Sequence, residues 1–398
     1  MRKIVRNWLR SLKARYPVLG RVVLYIGLYF KKPIQVRQGG QKKALIFYIS
    51  YPFVTQNHHG HSNQNEVIVM ADVLAELGFS VDVVDYNSEF NIDYLTYDLL
   101  IGFGGAFARS FSRTNFRGKR ILHLTGANPN FSNAAEATRC RNLRMRQGVM
   151  LAPRREVYWP WMFSAINSDA VFVLGNSWTI STYDGLNGST YLIPVPYVAQ
   201  VELQKVFKDY SKVKNNFCWF AGGGAVHKGL DILLEAIVAC DNEFHLDICG
   251  PIDKEDDFLM FYKDILFNNE KVNFHGFIDV TSKKMKDIIY NNTFVILPSC
   301  SEGAASSVIT CMAAGLVPIV TKEAGIEIGD FGVLIENPTP TSVFSSMLQA
   351  SSMSDEGLEI CSKKSAEYAR SEHSYSSYAN VLRNSILGVD VCLQKGSA

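Results

Sequence analysis

Leu297-Pro-Ser-Cys-Ser-Glu-Gly-Ala-Ala-Ser-Ser-Val-Ile-Thr-Cys-Met-Ala-Ala-Gly-Leu-Val-Pro-Ile-Val320 decides how the rest of the chain is read. It reads as strand, loop, helix, turn and strand. Phe294 to Leu297 is a short apolar run ended by Pro298. Ser299 to Ala305 is a small-residue loop with one carboxylate, Glu302. Ser306 or Ser307 can cap a helix that ends at Gly315. Val308, Ile309, Met312 and Ala313 share one helical face, which packs on a sheet. The amides at the helix start form an anion site suited to a phosphate. One acid beside it suggests a sugar hydroxyl held next to a nucleoside diphosphate.

Outward from this stretch the chain alternates between strand and helix signals. Toward the amino end, strands are predicted at 44–50, 81–84, 99–102, 120–124 and 170–174. A helix over 65–77 is closed by Gly78. The charged segment 204–216 reads as a linker. A second alternation then follows: strand 217–221, helix 230–238, strand 245–249, strand 272–274 and helix 282–290. Alternation of this kind predicts parallel α/β sheets. We expect two Rossmann-like doubly wound domains facing a central cleft. The expected boundaries are a basic segment 1–43, an acceptor domain 44–210, a donor domain 211–372, and a last helix with tail, 373–398, crossing back to the first domain.

The second alternation opens with Phe220-Ala-Gly-Gly-Gly-Ala-Val-His-Lys-Gly-Leu230. Gly222, Gly223 and Gly224 let backbone approach a ligand, and Lys228 can set an ammonium on a phosphate. A plain strand-to-helix turn would look the same. No Walker loop is present, because the Lys-Ser/Thr ending is missing. No Gly-x-Gly-x-x-Gly follows a strand with an acid some twenty residues on, which argues against a dinucleotide oxidoreductase.

Lys228-Gly229 after a strand, Asp247-Ile-Cys-Gly250, Val272-Asn-Phe-His-Gly276 and the 297–320 stretch occur in this order. Over about residues 217–335 the chain resembles the nucleotide-binding half of the retaining glycosyltransferases of family four, the glycosyl transferases group 1, with the GT-B fold. The resemblance implies that Lys228 binds the donor diphosphate and that Glu302 holds a hydroxyl of the transferred sugar. It places the amides of Gly303, Ala304 and Ala305 on the phosphates, and Phe277 and Ile278 by the nucleobase. It implies no metal and no cofactor beyond the nucleotide-sugar substrate. Two positions depart from the family pattern. A second Glu, eight residues after the first, is Thr310, which is left to hold the ribose by a neutral bond. An Arg five residues before the Lys is Gly223; His227 or an arginine of the first domain is expected to replace it.

The first domain supplies further candidates. His58, His59 and His61 lie on the first strand-to-helix loop, and His61 is a candidate contact for acceptor or phosphate. His123 and Asn128 lie near the end of a predicted strand, where the family often places a cleft histidine. Arg139 and Arg146 share one helical face, while Arg141 and Arg144 lie roughly opposite. One pair is therefore expected to meet something anionic, a ligand or local acids. Arg154 and Arg155 follow.

The 398 residues are 47% apolar and 20% charged, which excludes a disordered or fibrous chain. The net charge of +2 hides an asymmetry. The first 43 residues hold 12 of the 40 Lys and Arg, leaving 28 bases against all 38 acids. With Trp8 and the apolar run 18–30, this head reads as an interfacial anchor on an anionic membrane, too short to span it. No signal peptide is read, and the eight scattered Cys suggest reduced thiols. No nucleic-acid partner is expected. These features predict a peripheral enzyme on the inner face of the cytoplasmic membrane. It would move a sugar from a nucleoside diphosphate to a glycan or polyprenyl-diphosphate-linked acceptor in bacterial surface-polysaccharide synthesis. The alternatives are a nucleotide-sugar epimerase of the same fold and an inactive glycan-binding scaffold.

Overall fold

The computed structural model describes residues 31–54, 61–186, 189–198, 208–239 and 243–394. Most of the basic head, together with His58, His59 and residues 204–207 of the expected linker, lies outside them.

Two α/β sheets carry the chain. The first comprises β1 (Ile34–Arg37), β2 (Lys42–Tyr48), β3 (Phe79–Asp85), β4 (Leu99–Gly102), β5 (Lys119–Leu124), β6 (Ala170–Leu174) and β7 (Ser189–Ile193), in the order β1-β3-β2-β4-β5-β6-β7. β2 pairs parallel with β3 and β4, and β4 with β5; β1 runs antiparallel on β3. The second comprises β8 (Asn216–Phe220), β9 (His245–Cys249), β10 (Val272–Gly276), β11 (Phe294–Leu297), β12 (Val317–Val320) and β13 (Val333–Leu334), in the order β10-β9-β8-β11-β12-β13. Each neighbouring pair in it is parallel. Parallel sheets are covered on both faces, which is why their strands are continuous apolar runs. Ala44 to Phe47 and Phe294 to Leu297 are fully buried.

The described residues fall into two compact units. One draws on the described residues within 1–57, 67–123 and 159–171; the other on those within 58–66, 124–158 and 172–398. The units do not follow the contiguous halves expected from the sequence. The helix Pro129–Gln147 and the segment after it cluster with the second sheet, because their polar side chains bond to it, as described below.

In the first unit a chain of rings leads from the buried Phe47 and Phe107 out to the half-exposed Phe163. Phe47 meets Phe107 edge-on at 5.6 Å, Phe107 meets Phe111 at 5.7 Å, and Phe111 meets Phe163 at 5.5 Å. In the second unit Phe217 stacks on Phe294 at 5.1 Å and meets Phe244 edge-on at 5.2 Å. The last helix, Tyr375–Gln394, belongs to this unit and packs on β7. The Tyr375 hydroxyl accepts from Asn65 Nδ2 at 2.7 Å. Among the described residues no helix is long and apolar enough to cross a membrane.

Candidate functional site

The site is built where β8 and β11 end. From Phe220 the chain turns through 221–229 into the helix Leu230–Val238. Gly229 has φ +71°, and a Cβ there would stand 2.3 Å from the carbonyl oxygen of Pro298. Glycine therefore lets the turn pack onto the end of β11. That approach brings Lys228 Nζ into an ion pair with Glu302 Oε1, with only 9% and 11% of the two side chains exposed. Ser299 Oγ donates to the same oxygen at 2.8 Å. Among the described residues Glu302 Oε2 has no protein partner.

The acid loop is pinned throughout. Cys300 N donates to the His227 carbonyl at 2.9 Å, Glu302 N to the Glu323 carbonyl at 2.8 Å, and Thr321 Oγ1 to the Ser299 carbonyl at 2.6 Å. Burial alone would raise the Glu302 carboxyl. The neighbouring positive charge, Lys228 first with Arg155 adding, together with the Lys228 hydrogen bond outweighs burial and holds the carboxyl down at about 2. Burial also pushes the Lys228 ammonium down, and Glu302 offsets part of that. Glu302 is therefore ionised at neutral pH.

Glu302 leads into the helix Ser306–Ala313. Among the described residues the amides of Gly303 and Ala304 donate to no protein acceptor, as a phosphate site requires. The expectation for Ala305 is corrected, because its amide already donates to the Ala324 carbonyl at 3.0 Å. Thr310 is corrected too. It is 1% exposed, its hydroxyl donates to the Ser306 carbonyl at 2.7 Å, and it accepts from Val198 N at 3.2 Å. A buried hydroxyl committed in this way does not reach a ribose.

The glycine loop already holds an anion. Gly224 N donates to Glu255 Oε1 at 2.5 Å and Ala225 N to Glu255 Oε2 at 3.1 Å, while Gly222 is exposed. A Cβ on Gly223 would lie 3.5 Å from Glu255 Oε1, so this acid lies beside the position where the family pattern has arginine. Gly224 is therefore corrected as a phosphate donor. His227 does not supply the missing charge. Its Nε2–H donates to the Ser301 carbonyl at 2.6 Å, and burial pushes its imidazole down to about 4.

The first-sheet candidates fare unevenly. His123 is fully buried, neither ring nitrogen has a hydrogen-bond partner, and burial pushes it down to about 4. It meets the Tyr48 ring edge-on at 5.9 Å, as a core residue does, which corrects its placement near a ligand. Asn128 caps the helix Pro129–Gln147. Its Oδ1 accepts from Asn130 N and its Nδ2 donates to the Thr182 carbonyl, each at 2.9 Å, so its amide is spent on structure.

Arg139 and Arg146 do face acids and carbonyls together, but those of the protein. Arg139 Nη2 donates to the Pro298 carbonyl at 2.7 Å. Arg146 bridges Asp231 at 2.7 Å and Glu235 at 2.9 Å. Both are corrected as acceptor contacts. His61 is exposed, and its imidazole is pushed down by desolvation first and by the like charges of Lys228 and Arg155. Phe277 is 69% exposed just past β10, while Ile278 is buried.

Two residues of this site carried no distinct sequence signal, Glu255 and Ser299; Arg155, one of the arginines singled out in the sequence, and Glu136, the acid on their helix, also belong to it. The buried Glu136 carboxylate accepts from the amides of Arg154 at 2.7 Å and Arg155 at 2.9 Å. A lone acid on an arginine-rich helix was the available hint. Among the described residues no group of His, Cys, Asp and Glu could hold a metal ion.

Residues 215–352 match the family described as Glycosyl transferases group 1. Solved structures similar to the chain include sucrose-phosphate synthase from Thermosynechococcus elongatus, with a TM-score of 0.62 and 14% identity, covering 88% of this chain and 100% of that one. Alr3699/HepE of Anabaena, solved in complex with UDP and glucose, has a TM-score of 0.58 and 12% identity, covering 87% and 100%. WaaG, a glycosyltransferase involved in lipopolysaccharide biosynthesis, has a TM-score of 0.53 and 11% identity, covering 85% and 98%. At such identities the likeness speaks to the fold, which is GT-B. No curated protein matches the sequence.

Proposed function

We infer, for a chain that belongs through residues 215–352 to the glycosyl transferases group 1, that it transfers a sugar from a nucleoside-diphosphate sugar to a glycan with retention of anomeric configuration. The observation that carries this reading is the buried Lys228–Glu302 pair at the start of the helix Ser306–Ala313. A diphosphate on the amides of Gly303 and Ala304 would meet the Lys228 ammonium. The unpartnered Glu302 Oε2 would accept a hydroxyl of the sugar. Fixed donors of this kind stabilise charge as it develops on the leaving diphosphate, and they need no reorganisation during the reaction.

In the transfer step the bond between the anomeric carbon and the β-phosphate oxygen breaks. The acceptor hydroxyl oxygen bonds to that carbon on the same face, and its proton leaves with the diphosphate. No enzymic nucleophile and no metal ion enter the proposal. Exposed Phe277 would lie by the nucleobase.

The acceptor is proposed to be lipid-linked and the product a bacterial surface polysaccharide. Support comes from the basic, apolar head, which fits a protein held at an anionic inner membrane surface, and from the part that WaaG plays in lipopolysaccharide biosynthesis.

The test is a screen of UDP-, GDP-, ADP- and TDP-sugars for thermal stabilisation, with transfer then followed by NMR at the anomeric proton in the presence of EDTA. A retained configuration with acceptor, and no epimer with donor alone, is expected. Binding of none of the four classes by folded protein would leave the scaffold reading instead.

A further inference from the structure

Lys228 and Glu302 neutralise each other, so the pair alone brings no net charge to an anionic ligand. A nucleoside-diphosphate sugar carries two negative charges, and its leaving group gains a third as the bond to the sugar breaks. A site that takes this ligand without a metal ion needs at least one more cation. His227 is neutral at pH 7 and held by Ser301. Arg139 is buried at 5% exposure with its Nη2 held by the Pro298 carbonyl, Arg146 is paired with Asp231 and Glu235, and Arg154 with Asp257.

Arg155 differs from these three. Its guanidinium has no hydrogen bond or ion pair among the described residues, yet its backbone is firmly placed. Its amide donates to Glu136 Oε2 at 2.9 Å, and that carboxylate is 1% exposed. Two residues on, Val157 N donates to Asn133 Oδ1 at 2.9 Å, and Asn133 Nδ2 returns a bond to the Val157 carbonyl at 2.9 Å. The helix Pro129–Gln147 thus lays residues 154–157 down along itself.

From there the Arg155 stem runs over Gly224. A Cβ on Gly224, whose φ is +95°, would stand 2.8 Å from Arg155 Cγ and 3.1 Å from Cδ. The Gly224 carbonyl accepts from Lys228 N at 2.9 Å, so the stem crosses the turn that carries the lysine. The charge of Arg155 acts on Glu302, Lys228, His227 and His61 alike. Gly224 therefore has a second role: its missing side chain is the passage for this arginine.

We propose that the Arg155 guanidinium binds the donor's diphosphate beside Lys228 and carries the positive charge that the Lys228–Glu302 pair does not supply. A guanidinium is suited to this task, because its planar fork grips two phosphate oxygens at once. The proposal rests on the nucleotide-sugar reading above and adds to it a residue outside the matched segment 215–352.

The test is calorimetric titration of the full chain and of Arg155→Gln and Arg155→Lys with UDP, GDP, ADP and TDP and with the matching monophosphates. Arg155→Gln leaves the Glu136 bond intact, since that bond uses the backbone, so the variant keeps its fold. For the base that the unmodified protein prefers, Arg155→Gln is expected to weaken the diphosphate by about tenfold or more, the value of a charge-assisted contact. The monophosphate should change by no more than about twofold, and Arg155→Lys should recover part of the loss. An unchanged diphosphate-to-monophosphate ratio in Arg155→Gln would overturn the role of Arg155 and leave the nucleotide-sugar reading standing. Failure of the unmodified protein to bind any of the four diphosphates would overturn both.

Discussion

Thr310 Oγ1 accepts a hydrogen bond from the backbone amide of Val198 at 3.2 Å. The contact ties the segment after β7 to the helix that leads out of the Glu302 loop. The same segment is held from the other side, where Tyr197 N donates to the His373 carbonyl at 2.8 Å and His373 Nδ1 bonds the Val195 carbonyl at 2.8 Å. Thr310 is a fastening, whereas the family pattern has a ribose ligand at that position. Thr310→Val should cost about 2–3 kcal/mol in urea denaturation, because both hydrogen bonds of the hydroxyl are lost and the Val198 amide is left without an acceptor. The dissociation constant for a nucleoside diphosphate should stay within about twofold. A larger loss of affinity at unchanged stability would return Thr310 to the ligand.

Removing either member of the Lys228–Glu302 pair should not have symmetric effects. Lys228→Met leaves a buried carboxylate without its cation and is expected to cost about 3–5 kcal/mol of stability. Glu302→Gln keeps the shape and the Ser299 contact, so its folding cost should be smaller. Its rate of sugar transfer should fall by about 10–100-fold, the value of one or more charged hydrogen bonds to the sugar. The double variant Lys228→Met/Glu302→Gln should regain much of the stability lost in the first. A double-mutant cycle by urea denaturation measures this coupling.

Lys228 and Glu302 were legible in the sequence because each sits at a fixed offset from a strand end, where a parallel sheet delivers its loops to one edge. β11 and the helix Ser306–Ala313 were legible for the same reason, since apolar runs and a closing glycine mark their limits. The partners of these elements were not. Glu255 reaches the amides of Gly224 and Ala225 from 31 and 30 residues away, and nothing in an isolated Lys-Glu-Asp run announces that. The short strands β1, β7 and β13 lie toward the sheet edges, where exposed residues break the apolar signal. Arg139 and Arg146 were correctly placed on one helical face, but the spacing could not say whether a ligand or Asp231 and Glu235 would answer them.

Arg146 answers a cost that Asp231 creates. The Asp231 side chain is fully buried, and burial pushes its carboxyl up against the pull of Arg139 and Arg146. Its Oδ1 has no hydrogen-bond partner. Arg146→Ala should therefore destabilise the protein by about 3–5 kcal/mol, because it leaves a buried charge uncompensated. Asp231→Asn in that background should recover part of the loss, since the amide needs no counter-ion. Denaturation midpoints of the two variants decide this. Equal midpoints would mean that Glu235 and Tyr262, which share a hydrogen bond at 3.0 Å, hold the helix without Asp231.

His123 should set part of the acid limit of the fold. Its imidazole stays neutral in the folded state down to about 4, because burial penalises the cation, against an ordinary value of 6.5. Between these two values the unfolded chain binds a proton that the folded chain refuses. Stability is then complete above pH 6.5 and falls as the pH drops toward 4. From pH 8 to pH 5 the loss from this one residue is about 2 kcal/mol. His227, pushed to the same value by its own burial, adds a similar slope. Glu302 adds little above pH 5 and more below it, because its carboxyl stays ionised to about 2 while its unfolded value lies near 4.5. His123→Leu fills the same apolar space, and neither ring nitrogen has a hydrogen bond to lose. The variant should match the parent at pH 8 and exceed it by about 2 kcal/mol at pH 5 in urea denaturation. Parallel pH profiles for the two proteins would mean that His123 gains water or a counter-ion when the pH falls.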